Sequence, residues 1–343
     1  MGAFLKLCPF GALSFENGAD SANAACKMCK LCVKHGPEGA AKFIEEERPK
    51  IDKSLWNGVA VYVDHDEGKI HPVTYELIGK ARELADKIGH KVVCVFMGSE
   101  ISGLCNELLK YNVDEVYVYD DEKLRHYIPE NYTAVFEDFI NKVKPCAVLV
   151  GATVIGRELA PRVAARFKTG LTADCTILDM TPETDLVQIR PAFGGNIMAQ
   201  IVTPNNRPQL ATVRYKVMNA PEKSDSVSGK IIKCDLPGGD FVSGTEVIGI
   251  SPKERQKTIE SADVLVAAGR GVKTKEDLDM LKKLAELLGG ELACSRPLVE
   301  NGWMDAKHQI GLSGRTVRPK LIIACGISGA VQFTAGMNNS DYI

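Results

Sequence analysis

Cys26, Cys29 and Cys32 recur at every third position, and a fourth cysteine, Cys8, stands before a proline near the chain start. Thiolates are soft, strongly binding ligands, so four of them crowded into one short segment point to a metal centre rather than to packing. Two centres suit four thiolates: a tetrahedral zinc cage and a four-iron, four-sulfur cluster. Zinc ribbons usually pair two C-x2-C knuckles, whereas three cysteines at successive third positions wrap one corner of a cubane. The spacing here is of the second kind, with zinc kept as the alternative. The chain has 11 cysteines, an odd number, which suits ligands and buried thiols better than disulfides and indicates a reducing, cytoplasmic setting. Cys94 in VVCVF, Cys146 in CAVLV and Cys325 in LIIACG sit in apolar runs and read as small core residues.

A second set of candidates closes three apolar runs in the last hundred residues. Gly269-Arg270-Gly271 follows DVLVAAG, Ser295-Arg296 follows ELAC, and Gly326-Ile327-Ser328-Gly329-Ala330 follows LIIAC. In a parallel sheet such loops gather at the carboxyl edge of the strands, where ligands bind. Glycine lets the backbone approach a pyrophosphate, and Arg270 and Arg296 would add cationic donors. Two standard motifs fail: Gly269-x-Gly271 lacks the third glycine of G-x-G-x-x-G, and before Gly314 a P-loop would need glycine at Gln309 and lysine at Arg315. On these grounds a dinucleotide pocket and an ordinary row of tight turns stand level.

The elements that must position these residues follow from texture. Residues 1–36 hold too little apolar sequence for a core without a staple, and a charged connector centred on Glu45–Lys50 follows. From Trp56 the chain alternates apolar strand runs (58–64, 91–97, 115–119, 146–151) with helical stripes (72–88, 101–110, 132–143, 157–168). That rhythm predicts an α/β fold with a mainly parallel sheet covered on both faces. Four short strands (174–180, 186–190, 197–203, 209–214) are expected as an antiparallel extension, and the polar stretch 219–229 as a linker. Strand–helix alternation then resumes. Three regions result: a cysteine module over 1–50, an α/β domain over 57–218 and a second α/β domain over 229–343.

The balance of the chain excludes several functions. A formal charge of −2 gives no electrostatic reason for nucleic acid or anionic lipid as a partner. No run of about 20 apolar residues is present to span a membrane, and no export signal opens the chain. Trp56 and Trp303 read as packing residues. The six histidines show no metal-binding spacing, and no catalytic triad or carboxylate pair can be argued from residue order.

The cysteine segment resembles a bacterial-type ferredoxin. Cys26-x2-Cys29-x2-Cys32-x3-Gly36-Pro37 is similar to its C-x2-C-x2-C-x3-C-P run with the last cysteine replaced, and Cys8-Pro9 to the end of a second run. Met1 and Phe4 occupy two of that second run's earlier cysteine positions. In such ferredoxins the fourth cysteine of each run ligates the other cluster. The resemblance therefore implies one complete [4Fe-4S] ligand set, Cys8, Cys26, Cys29 and Cys32, with every loss confined to the second cluster.

The rest of the chain, from Gly58 to Ile343, resembles electron-transfer flavoprotein alpha subunits. AAGRGV, ACSRPLVENGW, QIGLSGR and ACGISGAVQFTAGM, in that order, are similar to the family's FAD-binding run. GATVIGRELAPRVAARF, RPAFGGN and ATVR are similar to its first domain. This implies a Rossmann-like second domain with FAD held by Arg270, Gly271, Ser295, Arg296, Ile310, Gly311, Leu312, Ser313, Gly326, Ser328, Gly329, Ala330, Val331, Gln332 and Phe333. Arg296 matches an arginine set against the flavin ring, Ser313 a hydroxyl near the flavin N5, and Gln332 the SGAxQ glutamine. Two departures stand out: Phe333 occupies a position where many members have histidine, and the family continues past the position of Ile343 with further FAD contacts, so either the chain is cropped or its pocket is incomplete.

The same resemblance implies a heterodimer with an electron-transfer flavoprotein beta subunit, joined through the first domain. Electrons would pass between that subunit, the FAD and an acyl-CoA dehydrogenase or reductase. A minority of such subunits, in anaerobes, carry an N-terminal ferredoxin-like module, which suits flavin-based electron bifurcation with NADH and ferredoxin. No catalytic residue is expected in this chain itself. The alternative is a stand-alone iron–sulfur flavoenzyme reducing its own small substrate; that would need an acid or base beside the flavin, and none stands out.

Overall fold

The computed structural model describes residues 5–16, 19–44, 51–66, 68–192, 197–227, 229–238, 243–251 and 258–343. The expectations attached to Met1, Phe4, the connector core 45–50 and the last four residues of RPAFGGN, 193–196, lie outside the described residues. The chain forms two compact units, Met1–Lys50 and Ile51–Ile343.

In the first unit an antiparallel hairpin of β1 (Leu13–Glu16) and β2 (Ala19–Ala22) precedes the short helix α1 (Leu31–His35). Among its described residues only Ala12 is a fully buried hydrophobic, while Phe10, Phe15 and Met28 are exposed. So small a core gives little stability of its own, as the sequence predicts.

The second unit opens with β3 (Val59–Tyr62), whose four residues are all buried. A two-residue pairing of β4 (His65–Asp66) with β5 (Lys69–Ile70) leads into α2 (Pro72–Ile88). The His71 side chain caps α2, Pro72 sets its first turn and Gly89 at φ 66° ends it. Its stripe of Val73, Leu77, Ile78, Ala81 and Leu84 packs one core on the sheet. Then come β6 (Val92–Gly98), α3 (Cys105–Leu109), β7 (Glu115–Asp120), α4 (Pro129–Val143), β8 (Ala147–Gly151) and α5 (Val154–Arg166). Helices α4 and α5 cover the opposite face with Val135, Phe136, Phe139, Leu159 and Val163. Helix α5 begins three residues before the expected start, because the Thr153 hydroxyl accepts the Gly156 N–H at 3.1 Å.

The remaining strands are β9 (Leu171–Cys175), β10 (Ile177–Met180), β11 (Leu186–Ala192), β12 (Ile197–Ile201), β13 (Gln209–Val213) and β14 (Lys230–Lys233). They make a seven-stranded parallel sheet in the order β14-β7-β6-β3-β8-β13-β9 and a separate antiparallel sheet β10-β11-β12. Two expectations change. The run 209–214 does not extend the antiparallel part: β13 enters the main sheet between β8 and β9, parallel to both, and all five of its residues are buried. A strand covered on both faces belongs at the centre of a parallel sheet, and alternation of residue types carries no direction. The segment just after the expected linker also returns to the first sheet as β14, a short edge strand flanked by Lys230 and Lys233.

The second sheet is smaller and parallel: β15 (Val264–Ala268) lies between β16 (Glu291–Cys294) and β17 (Leu321–Cys325). Helix α6 (Lys275–Leu287), capped by Thr274, covers one face; α7 (Arg296–Glu300) and α8 (Val331–Thr334) follow β16 and β17. Among the described residues no helix is long and apolar enough to cross a membrane.

Candidate functional site

The register of the small sheet sets one end of all three strands level. Ala268 at the end of β15 pairs with Cys294 on one side and Cys325 on the other. The loops that follow therefore leave from one edge and interlock. Gly271 N–H donates to Gly326 O at 2.8 Å, and Ser295 N–H to Ala268 O at 2.9 Å. A Cβ on Gly271 would lie 2.7 Å from Gly326 Cα, and Gly326 itself sits at φ 66°, so two backbones touch where no side chain fits.

These loops enclose a cavity of about 730 Å3. Of the expected residues, Arg270, Gly271, Ser295, Arg296, Ile310, Leu312, Ser313, Gly326, Ser328, Ala330, Gln332 and Phe333 line it. Gly311, Gly329 and Val331 do not. Gly311, at φ 132°, supports the wall from behind: a Cβ there would meet Gln332 O at 2.3 Å, and Leu312 N–H donates to that oxygen at 2.8 Å. Lys273, Pro297, Gln309 and Ile327 line the cavity without having been anticipated.

The wall is cationic, with Arg270, Lys273 and Arg296 and no carboxylate, histidine, tyrosine or cysteine among its described residues. Such a wall suits an anionic ligand. Ser295 is 9% exposed, and its Oγ is buried without any hydrogen-bond partner. A buried hydroxyl left unpaired costs about 1–3 kcal/mol unless a ligand satisfies it. Behind it, burial pushes the Cys294 thiol up to about 12, so that sulfur stays protonated and inert. Gln309, 6% exposed, donates from Nε2 to Ser313 Oγ at 2.8 Å and so holds the hydroxyl that the sequence singled out. Sequence reading met Gln309 only as a mismatch to a P-loop. Arg296 lines the cavity, and its Nε also donates to Glu300 Oε1 at 2.8 Å along α7, with its side chain 65% exposed. Phe333 is buried with Ile310 and Val317, so it serves the core as well as the wall.

A neighbouring cavity of about 310 Å3 shares Leu312 and Ser313 with the first. Its other wall comes from the large sheet, through Asp174 and Arg214, and from the antiparallel sheet, through Arg190 on β11.

In the first unit Cys8, Cys26, Cys29 and Cys32 all line a single cavity of about 330 Å3. Ala12 N–H donates to Cys8 Sγ at 3.3 Å, and this bond, followed by that from Phe10, lowers the Cys8 thiol below its ordinary range. Met28 and Lys30, between the cysteines, sit at φ 52° and 63°. Left-handed residues interspersed in a loop turn successive N–H groups inward, the nest geometry found around iron–sulfur centres. Among the described residues no three His, Cys, Asp or Glu side chains are grouped as ligands of one metal ion.

Residues 59–238 match the electron transfer flavoprotein domain, and residues 258–338 the electron transfer flavoprotein FAD-binding domain. The chain is 60% identical over 341 residues to the lactate dehydrogenase (NAD(+),ferredoxin) subunit LctC of Acetobacterium woodii, covering 99% of this chain and 82% of that protein. It is 46% identical to the electron transfer flavoprotein subunit alpha of Megasphaera elsdenii, covering 85% and 88%. To protein FixB of Clostridium saccharobutylicum it is 44% identical, covering 84% and 86%.

Proposed function

The chain belongs to the electron transfer flavoprotein alpha-subunit family, and from that premise we propose that it is the FAD-holding electron carrier of a multisubunit dehydrogenase. The observation that carries this reading is the cationic cavity at the edge of β15, β16 and β17, with the unpaired Ser295 hydroxyl in its wall. Arg270 and Lys273 beside the Gly271–Gly326 contact would take the pyrophosphate, and Ser295, Ser313 and Gln332 would bond the polar rim of the flavin. Bound FAD supplies one- and two-electron transfer. The protein's part is to orient the ring, exclude water and place positive charge beside it. Because no acid or base other than Lys273 and the arginines faces this cavity among the described residues, the stand-alone flavoenzyme is the weaker reading.

The same proposal assigns Cys8, Cys26, Cys29 and Cys32 to one [4Fe-4S] cluster in a ferredoxin-like module over residues 1–50. Its support is the single cavity all four thiols line, the N–H bond to Cys8 Sγ and the left-handed residues between the ligands.

For partners, a beta subunit would dock through the first domain. The relative named as a subunit of a lactate dehydrogenase using NAD+ and ferredoxin is 60% identical to this chain. That favours a 2-hydroxy-acid dehydrogenase subunit over an acyl-CoA dehydrogenase or reductase as the substrate-oxidising partner. Two acceptors in one name also fit flavin-based electron bifurcation in a cytoplasmic complex.

The test is anaerobic copurification of the chain with its partner subunits, followed by flavin, iron and sulfide analysis. Assays would then compare lactate- with acyl-CoA-dependent NAD+ reduction, each with and without ferredoxin. A colourless preparation would sink the cofactor assignments. Robust turnover by this chain alone would restore the stand-alone enzyme.

A further inference from the structure

Arg214 follows the last residue of β13 at the carboxyl edge of the large sheet, yet its guanidinium reaches the cofactor loop of the small one. Nη2 donates to Leu312 O at 2.8 Å, and Nη1 lies 3.4 Å from Gly314 O. The same Nη2 is 2.9 Å from Asp174 Oδ2. Asp174 is itself fixed: its N–H donates to Thr212 Oγ1 at 3.0 Å, and Oδ1 takes Arg157 Nη2 at 3.0 Å. It stands at φ 57°, beside a register shift between β9 and β13. A non-glycine residue in the left-handed region costs energy and is retained where its surroundings demand it. Here the strained backbone aims a carboxylate at Arg214.

We propose that Arg214 is a positioning residue for the Gly311–Gly314 loop, coupling cofactor affinity and flavin potential to the docking of the small sheet's loops on the large sheet; the cofactor part rests on the FAD reading above. Leu312 is held at both ends of its backbone, N–H by Gln332 O and C=O by Arg214. Its carbonyl belongs to the peptide whose N–H is that of Ser313. A guanidinium on the oxygen polarises that peptide and strengthens its N–H as a donor. Ser313 lines both adjoining cavities, so this is the residue through which the effect reaches the cofactor. Charge acts in the same direction. Arg157 and Arg214 share the single carboxylate of Asp174, and Arg190 lines the same smaller cavity, which leaves positive charge behind the loop. That charge favours an anionic reduced flavin.

The test uses the full chain as wild type, Arg214→Lys, Arg214→Gln and Asp174→Asn. FAD affinity is read by flavin fluorescence, the midpoint potential by spectroelectrochemistry, and amide hydrogen exchange at 311–315 on cofactor-free protein. Arg214→Gln should raise the FAD dissociation constant about tenfold, the loss of one charge-assisted hydrogen bond. It should also disfavour one-electron reduction about threefold, roughly 30 mV at 59 mV per decade. Exchange at 311–315 should accelerate about tenfold while β15 stays protected. Arg214→Lys should recover part of each effect, and Asp174→Asn, which keeps the guanidinium but frees it, should fall between. An unchanged dissociation constant and potential in Arg214→Gln would overturn the proposal, as would equal loss of protection in β15. If the wild type takes up no FAD, the functional reading falls, and the exchange measurement alone decides whether Arg214 holds the loop.

Discussion

Gln309 and Ser313 face each other across the turn of the cofactor loop, with Gln309 Nε2 2.8 Å from Ser313 Oγ and Gln309 almost wholly buried. The amide thereby fixes the rotamer of a hydroxyl that lines the 730 Å3 cavity. Gln309→Ala should release that hydroxyl and weaken FAD binding about three- to tenfold, the range of one neutral hydrogen bond. Gln309→Glu offers an acceptor where a donor stood and should be at least as damaging. Fluorescence titration of cofactor-free protein with FAD checks both; unaltered affinity in the alanine variant would remove Gln309 from the site.

Ser295 predicts effects of opposite sign in the two states of the protein. Without cofactor its buried Oγ has no partner, so Ser295→Ala removes an unsatisfied polar atom and should stabilise the chain by about 1 kcal/mol. With FAD the same change deletes a bond and should weaken binding about tenfold. Denaturant melts with and without FAD measure the two terms separately. Destabilisation of the cofactor-free form would show that the hydroxyl is satisfied within the protein.

For the cysteine module, Cys29→Ser should leave iron and acid-labile sulfide near zero while the ratio of flavin to protein stays unchanged, because the two cavities lie in separate compact units. Metal analysis of anaerobically purified protein decides this. One zinc per chain in the wild type, with no iron, would refute the cluster.

What could be read from the sequence follows where the physics is local. The apolar runs of β3, β6 and β8 and the stripe of α2 each announce themselves within one window, and so do the glycine turns after β15 and β17. Strand direction is not local. Nothing in QLATV distinguishes an antiparallel flap from the parallel slot that β13 takes between β8 and β9. KIIK is too short and too exposed to declare itself the edge strand β14. Within the site, Gln309 was hidden because one buried amide belongs to no motif. The pairing of Arg296 with Glu300 one helical turn later is legible from the i, i+4 spacing alone.

Glu76 gives a pH dependence whose sign can be worked out. It is 8% exposed on α2, and its Oε1 and Oε2 accept the Lys216 N–H at 3.1 and 2.9 Å. Burial raises its carboxyl to about 7, against the partial opposition of backbone N–H groups of Lys216 and Met218 and the charges of Arg318 and Lys216. The folded chain therefore binds this proton more tightly than the unfolded chain, whose carboxyl titrates near 4.5. Below that value both states are protonated and no penalty exists. As pH rises from there to about 7, the unfolded state gains by ionising first, and stability falls; above about 7 the loss is complete and flat. Glu76→Gln mimics the protonated form at every pH and should abolish this component. Across that window the melting temperature of the wild type should drop by roughly 3 °C relative to the variant. The segment held by Glu76 also meets the small-sheet half, through Asn339 Nδ2 to Lys216 O at 3.2 Å and Arg318 Nη1 to Asn219 Oδ1 at 2.9 Å. Parallel melting curves for wild type and Glu76→Gln from pH 5 to 8 would show that this carboxyl titrates normally in the folded chain.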